Sequence, residues 1–94
     1  MVKEVHAAHI LVKNLEEAKT LLDDLRLQKK SFAKIAEEKS LCPSGKKGGD
    51  LGWFTRGRMV KEFENAAFSM KKGETSEPIR TQFGWHIIKV LETR

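Results

Sequence analysis

Apolar side chains recur at every second position through residues 4–13, EVHAAHILVK. Val5, Ala7, His9 and Leu11 fall on one side, and His6, Ala8, Ile10 and Val12 on the other. A period of two predicts a strand, and two largely apolar sides predict a central one covered on both faces. At Asn14 the spacing changes. Through residues 14–30, NLEEAKTLLDDLRLQKK, Leu15, Ala18, Leu22 and Leu25 share a helical stripe. Asn14 suits the N-cap, Glu16 and Glu17 the positive end, and Lys29 and Lys30 the negative end. Ser31 opens a second, shorter helix, SFAKIAEEK, with Phe32, Ile35 and Ala36 inward.

The loop SLCPSGKKGGD follows, then a short strand, DLGWF, and a turn, TRGRM. VKEFENAAFSMKKG predicts a third amphipathic helix, on which Val60, Phe63 and Ala67 align, with Gly73 as its C-terminal cap. Residues 78–80 and GWHIIKVLE predict two strands joined by the tight link TQFG. The order is strand, helix, helix, loop, strand, helix, strand, strand. That is an α+β domain: a small, mostly antiparallel sheet with helices packed on it.

Composition sets the class. The 94 residues, 39% hydrophobic and 33% charged, predict one soluble domain over residues 1–94. One cysteine, Cys42, excludes an internal disulfide and fits a reducing compartment. The first residues lack the apolar stretch of a signal peptide, so a cytoplasmic location is expected. Net charge is +5, but the cations are interleaved with acids, as in EEKSL and KEFEN. Nucleic acid or an anionic membrane surface is therefore not the expected main partner. Lys46, Lys47, Arg56 and Arg58 are the patch that such binding would use.

Three chemistries compete at residues 40–54. A phosphate cradle fails on spacing, because Gly45-Lys46 is followed by Lys47 rather than Ser or Thr. A metal site would draw on His9, His86 and Cys42, without the CxxC or HxxxH spacing of a zinc site. No metal and no cofactor is expected. A thiol nucleophile at Cys42 would need a histidine base. If the terminal strands are sheet neighbours, His9 and His86 could share a face. An N–H···N bond between the rings would then fix both tautomers, and Thr81 could add its hydroxyl.

The chain resembles a known family through AHILVK at 8–13, GGDLGWF at 48–54, GRMVKEFENAAF at 57–68 and TQFGWHIIKVLE at 81–92. These are similar, in order and spacing, to the parvulin-type peptidyl-prolyl cis/trans isomerases. CPSGKKGGDLG is especially similar to the small, single-domain members. The resemblance implies a parvulin-like (FKBP-like) four-stranded antiparallel sheet surrounded by helices, with a proline pocket on its concave face. It implies a polar centre of His9, Cys42, Thr81 and His86, and a substrate pocket of Leu51, Met59 and Phe63 with Phe54 beside it. Met59 and Phe63 stand four apart, so a helix would project them together.

The implied activity is isomerisation of X–Pro bonds in unfolded or flexible polypeptides, assisting protein folding. The alternative is a chaperone-like module that binds proline-containing chains without turning them over. Phosphate-directed members carry an arginine pair after the first strand; here that place reads Lys13-Asn14-Leu15-Glu16-Glu17. One lysine beside two carboxylates predicts no phosphate requirement, and an apolar or basic residue tolerated before proline. Targeting through the accessory domain or basic extension of some relatives is not expected. A monomer is expected, because no spare apolar stripe is evident.

Overall fold

The computed structural model describes residues 2–94. Its elements run β1 (Glu4–Val12), α1 (Leu15–Arg26), α2 (Phe32–Lys39), a 3-10 turn (Pro43–Lys47), β2 (Asp50–Thr55), α3 (Lys61–Ser69), β3 (Ile79–Thr81) and β4 (Gly84–Thr93). The four strands form one antiparallel sheet in the order β2-β1-β4-β3. The first and last strands are thus its two central members.

Alternation along β1 assigns each face a core. Ala8, Ile10 and Val12 join Ala18, Leu21, Leu22, Phe32, Ile35, Ala36 and Ile87 beneath α1 and α2. Val5 and Ala7 join Phe54, Phe63, Ala67, Ile88 and Val90 beneath α3. A register irregularity between His6 and Ala7 leaves this division intact.

The two predicted caps are present. Asn14 Oδ1 accepts from the Glu17 N–H at 2.8 Å, and Ser31 Oγ from the Lys34 N–H at 3.1 Å. Each satisfies a donor that the first helical turn leaves unpaired. Two helix ends differ from the expectation. α1 stops at Arg26, and the chain turns away through Gln28 in the left-handed region (φ 57°). Lys29 and Lys30 therefore lie beyond the helix, while Leu21 joins the buried stripe. α3 starts at Lys61 and ends at Ser69, so Gly73 does not cap it. Gly73 instead donates its N–H to the Val90 carbonyl at 2.7 Å, tying that loop to β4.

Candidate active site

The face beneath α3 opens into a cavity of about 500 Å³, a usual size for a small-molecule or side-chain site. Its floor comes from the central strands. His9 on β1 lies opposite Ile88, and Leu11 opposite His86, so the two histidines are diagonal neighbours across the pair. Their rings stack at 17° with centroids 5.1 Å apart, and their Nδ1 atoms are 2.9 Å apart. His86 Nε2 is 2.7 Å from Thr81 Oγ1, which accepts from the Phe83 N–H at 3.1 Å.

The hydroxyl fixes the direction of this chain. With its acceptor side used by Phe83, Thr81 is fully satisfied only if its O–H donates to His86 Nε2. His86 then carries its proton on Nδ1 and donates it to His9 Nδ1, which leaves the His9 proton on Nε2. That buried atom has no hydrogen-bond partner. The opposite direction would strand the Thr81 proton as well.

The two rings are 5% and 3% exposed, for His9 and His86 respectively. Burial, reinforced by the neighbouring His86, lowers the His9 pKa to about 4. Burial also lowers that of His86. Both are therefore neutral at pH 7, and the floor of the cavity carries hydrogen bonds but no charge.

The walls are apolar. Phe63 meets His9 and His86 edge to face, each at a centroid distance of 5.5 Å. Leu51 and Met59 line the same space. Met59 arrives differently from the expectation: it precedes α3, so the chain before the helix, not a shared helical face, brings it to Phe63. Phe54 does not reach the cavity. It is 2% exposed and packs behind Phe63 at 6.0 Å, backed in turn by Phe68 at 5.8 Å. Thr81 is likewise buried under the floor rather than in the lining.

Cys42 lines the cavity from the loop of residues 40–50. That loop is bonded to β1 at both ends. Leu41 donates to the Leu11 carbonyl at 2.8 Å, and His9 donates to the Gly49 carbonyl at 3.0 Å. The Ser44 hydroxyl donates to the Cys42 thiol at 3.3 Å. Both Nδ1 atoms and His86 Nε2 are engaged elsewhere, and His9 Nε2 reaches no partner, so no histidine is placed as a base for the thiol. Among the described residues no group of three or more His, Cys, Asp or Glu side chains converges in the arrangement that holds a metal ion.

Sequence reasoning missed part of the lining: Leu11, Leu41, Pro43, Val60 and Phe83, with Arg58 expected only as a member of a basic patch. Leu41 and Phe83 are 55% and 59% exposed, large apolar side chains that line the cavity from separate loops. Such exposure gives no periodic signal, and only the fold brings them together. Of the supposed patch, Arg58 alone lines the cavity. Arg56 pairs with Glu64 at 3.3 Å and lies over the Phe68 ring at 4.5 Å, and Lys47 lines shallower depressions beside Asp50.

Comparison with known proteins agrees with this architecture. The Rotamase family model, the PPIC-type PPIase domain, matches residues 9–92. The chain is 52% identical over 92 residues to foldase protein PrsA 1 of Bacillus cereus, covering 97% of this chain and 32% of that protein. It is 53% identical over 93 residues to foldase protein PrsA of Exiguobacterium sibiricum, covering 97% and 30% respectively. The chain thus spans about a third of the length of these curated relatives. The crystal structure of the peptidylprolyl isomerase PrsA from Bacillus anthracis superposes with a TM-score of 0.95 at 40% identity, over 99% of this chain and 43% of that one. The solution structure of NmPin, the parvulin of Nitrosopumilus maritimus, gives 0.85 at 45% identity, over 96% and 97%.

Proposed function

The chain belongs to the PPIC-type peptidyl-prolyl cis/trans isomerases, the parvulins, and from that premise we propose that it isomerises X–Pro bonds in unfolded or flexible polypeptides. The observation that carries this reading is the uncharged, hydrogen-bonded histidine floor under an apolar cavity.

Rotation about an X–Pro bond breaks no covalent bond. Its barrier, about 20 kcal/mol, is the lost resonance of the planar amide. Halfway round, the nitrogen is more pyramidal and the carbonyl less polarised. Surroundings that exclude water favour that state over both planar isomers, and each 1.36 kcal/mol of such preference is tenfold in rate. In this proposal Leu51, Met59 and Phe63 hold the proline ring while the peptide turns beside Cys42. Phe54 acts from behind, by fixing Phe63. His9, His86 and Thr81 hold the floor rigid and neutral.

The substrates are proline-containing chains, and the relatives named foldases support a part in protein folding. No phosphate is required: Lys13 stands alone, and Asn14 already accepts from the Glu17 amide in the first turn of α1. Phosphorylating a serine before proline should change kcat/KM by less than about tenfold. The proposal also takes the domain to act as a monomer in the cytoplasm. The free thiol of Cys42 supports the reducing compartment.

NMR exchange spectroscopy or a protease-coupled assay on an Ala-Leu-Pro-Phe peptide tests the activity. Faster cis/trans exchange is expected. Binding with no change in exchange would leave a holding module and overturn the enzyme reading.

A further inference from the structure

The loop between β2 and α3 gives the site a charge of its own. Arg58 lines the cavity beside Met59, and no acidic side chain lines it. This loop holds no acid, and Glu64 on α3 is already engaged: its Oε1 accepts from the Gly57 N–H at 2.5 Å, and its Oε2 from Arg56 at 3.3 Å. Among the described residues Arg58 itself forms no ion pair. Both imidazoles beneath it are neutral at pH 7. Arg58 is thus the one formal charge lining an otherwise uncharged cavity, on a chain whose net charge is +5.

We propose that Arg58 is a specificity-determining residue that selects prolines flanked by a carboxylate side chain and disfavours those flanked by a cation. This deepens the isomerase reading above and rests on it. An arginine at an apolar mouth is screened less than one on an open face, while its fork of donors matches a carboxylate. Arg58 is exposed, and one exposed cation gives a graded preference rather than a requirement. The inference also narrows the expectation drawn from the sequence, under which a basic residue before proline was tolerated.

The test uses the full chain and short peptides with Glu, Ala or Lys next to the proline, before it in one set and after it in another. In at least one set, Glu should exceed Lys in kcat/KM by about fivefold. The difference should shrink as salt is added. Arg58→Glu should invert the order of Glu and Lys. Peptide Kd values from the same series should follow the same order. A Glu-to-Lys ratio near one in both sets, or an order unchanged by Arg58→Glu, overturns the proposal while turnover of the Ala peptide leaves the isomerase reading standing. No turnover of any peptide sinks that reading, and the Kd values then decide whether Arg58 selects charge.

Discussion

Cys42 is placed against the cavity without the partners that would make it a nucleophile. Thiolate attack on a peptide carbonyl needs a base to take the proton and a group to hold that base. Among the described residues, the one hydrogen-bond partner of the thiol is the Ser44 hydroxyl, which donates to the sulfur. The histidines meanwhile bond to each other and to Thr81. A small, weakly polar side chain is what the position asks for. Cys42→Asp should therefore keep kcat/KM within about tenfold of the parent chain. Steep loss in both Cys42→Asp and Cys42→Ala would restore a covalent role for the sulfur. The same logic separates Phe54 from Phe63. Phe63 touches both imidazoles and the cavity, whereas Phe54 is absent from the lining and packs against Phe63 from behind.

The loop of residues 40–50 holds its shape through close contacts that leave no room for a side chain at its glycines, most tightly at Gly49. Gly49 has φ 84°, and a Cβ there would lie inside the van der Waals envelope of the His9 carbonyl oxygen. Gly49→Ala must break the His9–Gly49 bond or shift β1 beside the histidine floor. It should destabilise the chain by about 2 kcal/mol or more, read as a lower urea midpoint, and lower kcat/KM with it. An unchanged midpoint would mean the loop is not seated on β1. Elements of this kind were unevenly legible in the sequence. β1 was plain because both its faces are apolar at strand spacing, and the two N-caps because Asn14 and Ser31 directly precede apolar helical stripes. The start of α3 was not, since Met59 and Val60 continue the helical pattern in type while Met59 lies in a bend and Val60 has ψ 150°. The pairing of His9 with His86 was visible as a condition on strand order. The β2-β1-β4-β3 order, with β1 beside β4, meets that condition. Leu41 and Phe83 left no trace and Arg58 showed only as part of a basic patch, because exposed side chains on separate loops share no period.

At the scale of the whole molecule, the neutral histidine pair links the site to global stability. In the unfolded chain a histidine titrates near 6.5, whereas His9 in the fold does so at about 4. Between those values the unfolded chain binds a proton that the folded chain refuses, so stability falls as pH falls from about 6.5 to about 4. Above 6.5 both states are neutral and this contribution is complete and flat. The gap of roughly 2.5 units for His9 is about 3 kcal/mol, and His86 adds to it with the same sign. Against the 5–15 kcal/mol usual for a domain, about 3 kcal/mol is between a fifth and three fifths of the stability, lost by the time the pH reaches about 4. Asp50 acts in a lower window. Burial works to raise its pKa, but the Gly52 N–H and His6 hold it below the usual carboxylate range, so its contribution is lost only as pH falls under about 3.8. Urea midpoints measured from pH 8 to pH 4.5 should hold level to about 6.5 and then drop, and His9→Gln should shrink the drop. A level midpoint down to pH 4.5 would mean that the rings accept protons without leaving the fold. The floor could then carry charge at the bond being turned, and the preference for a less polar amide would lose its physical basis.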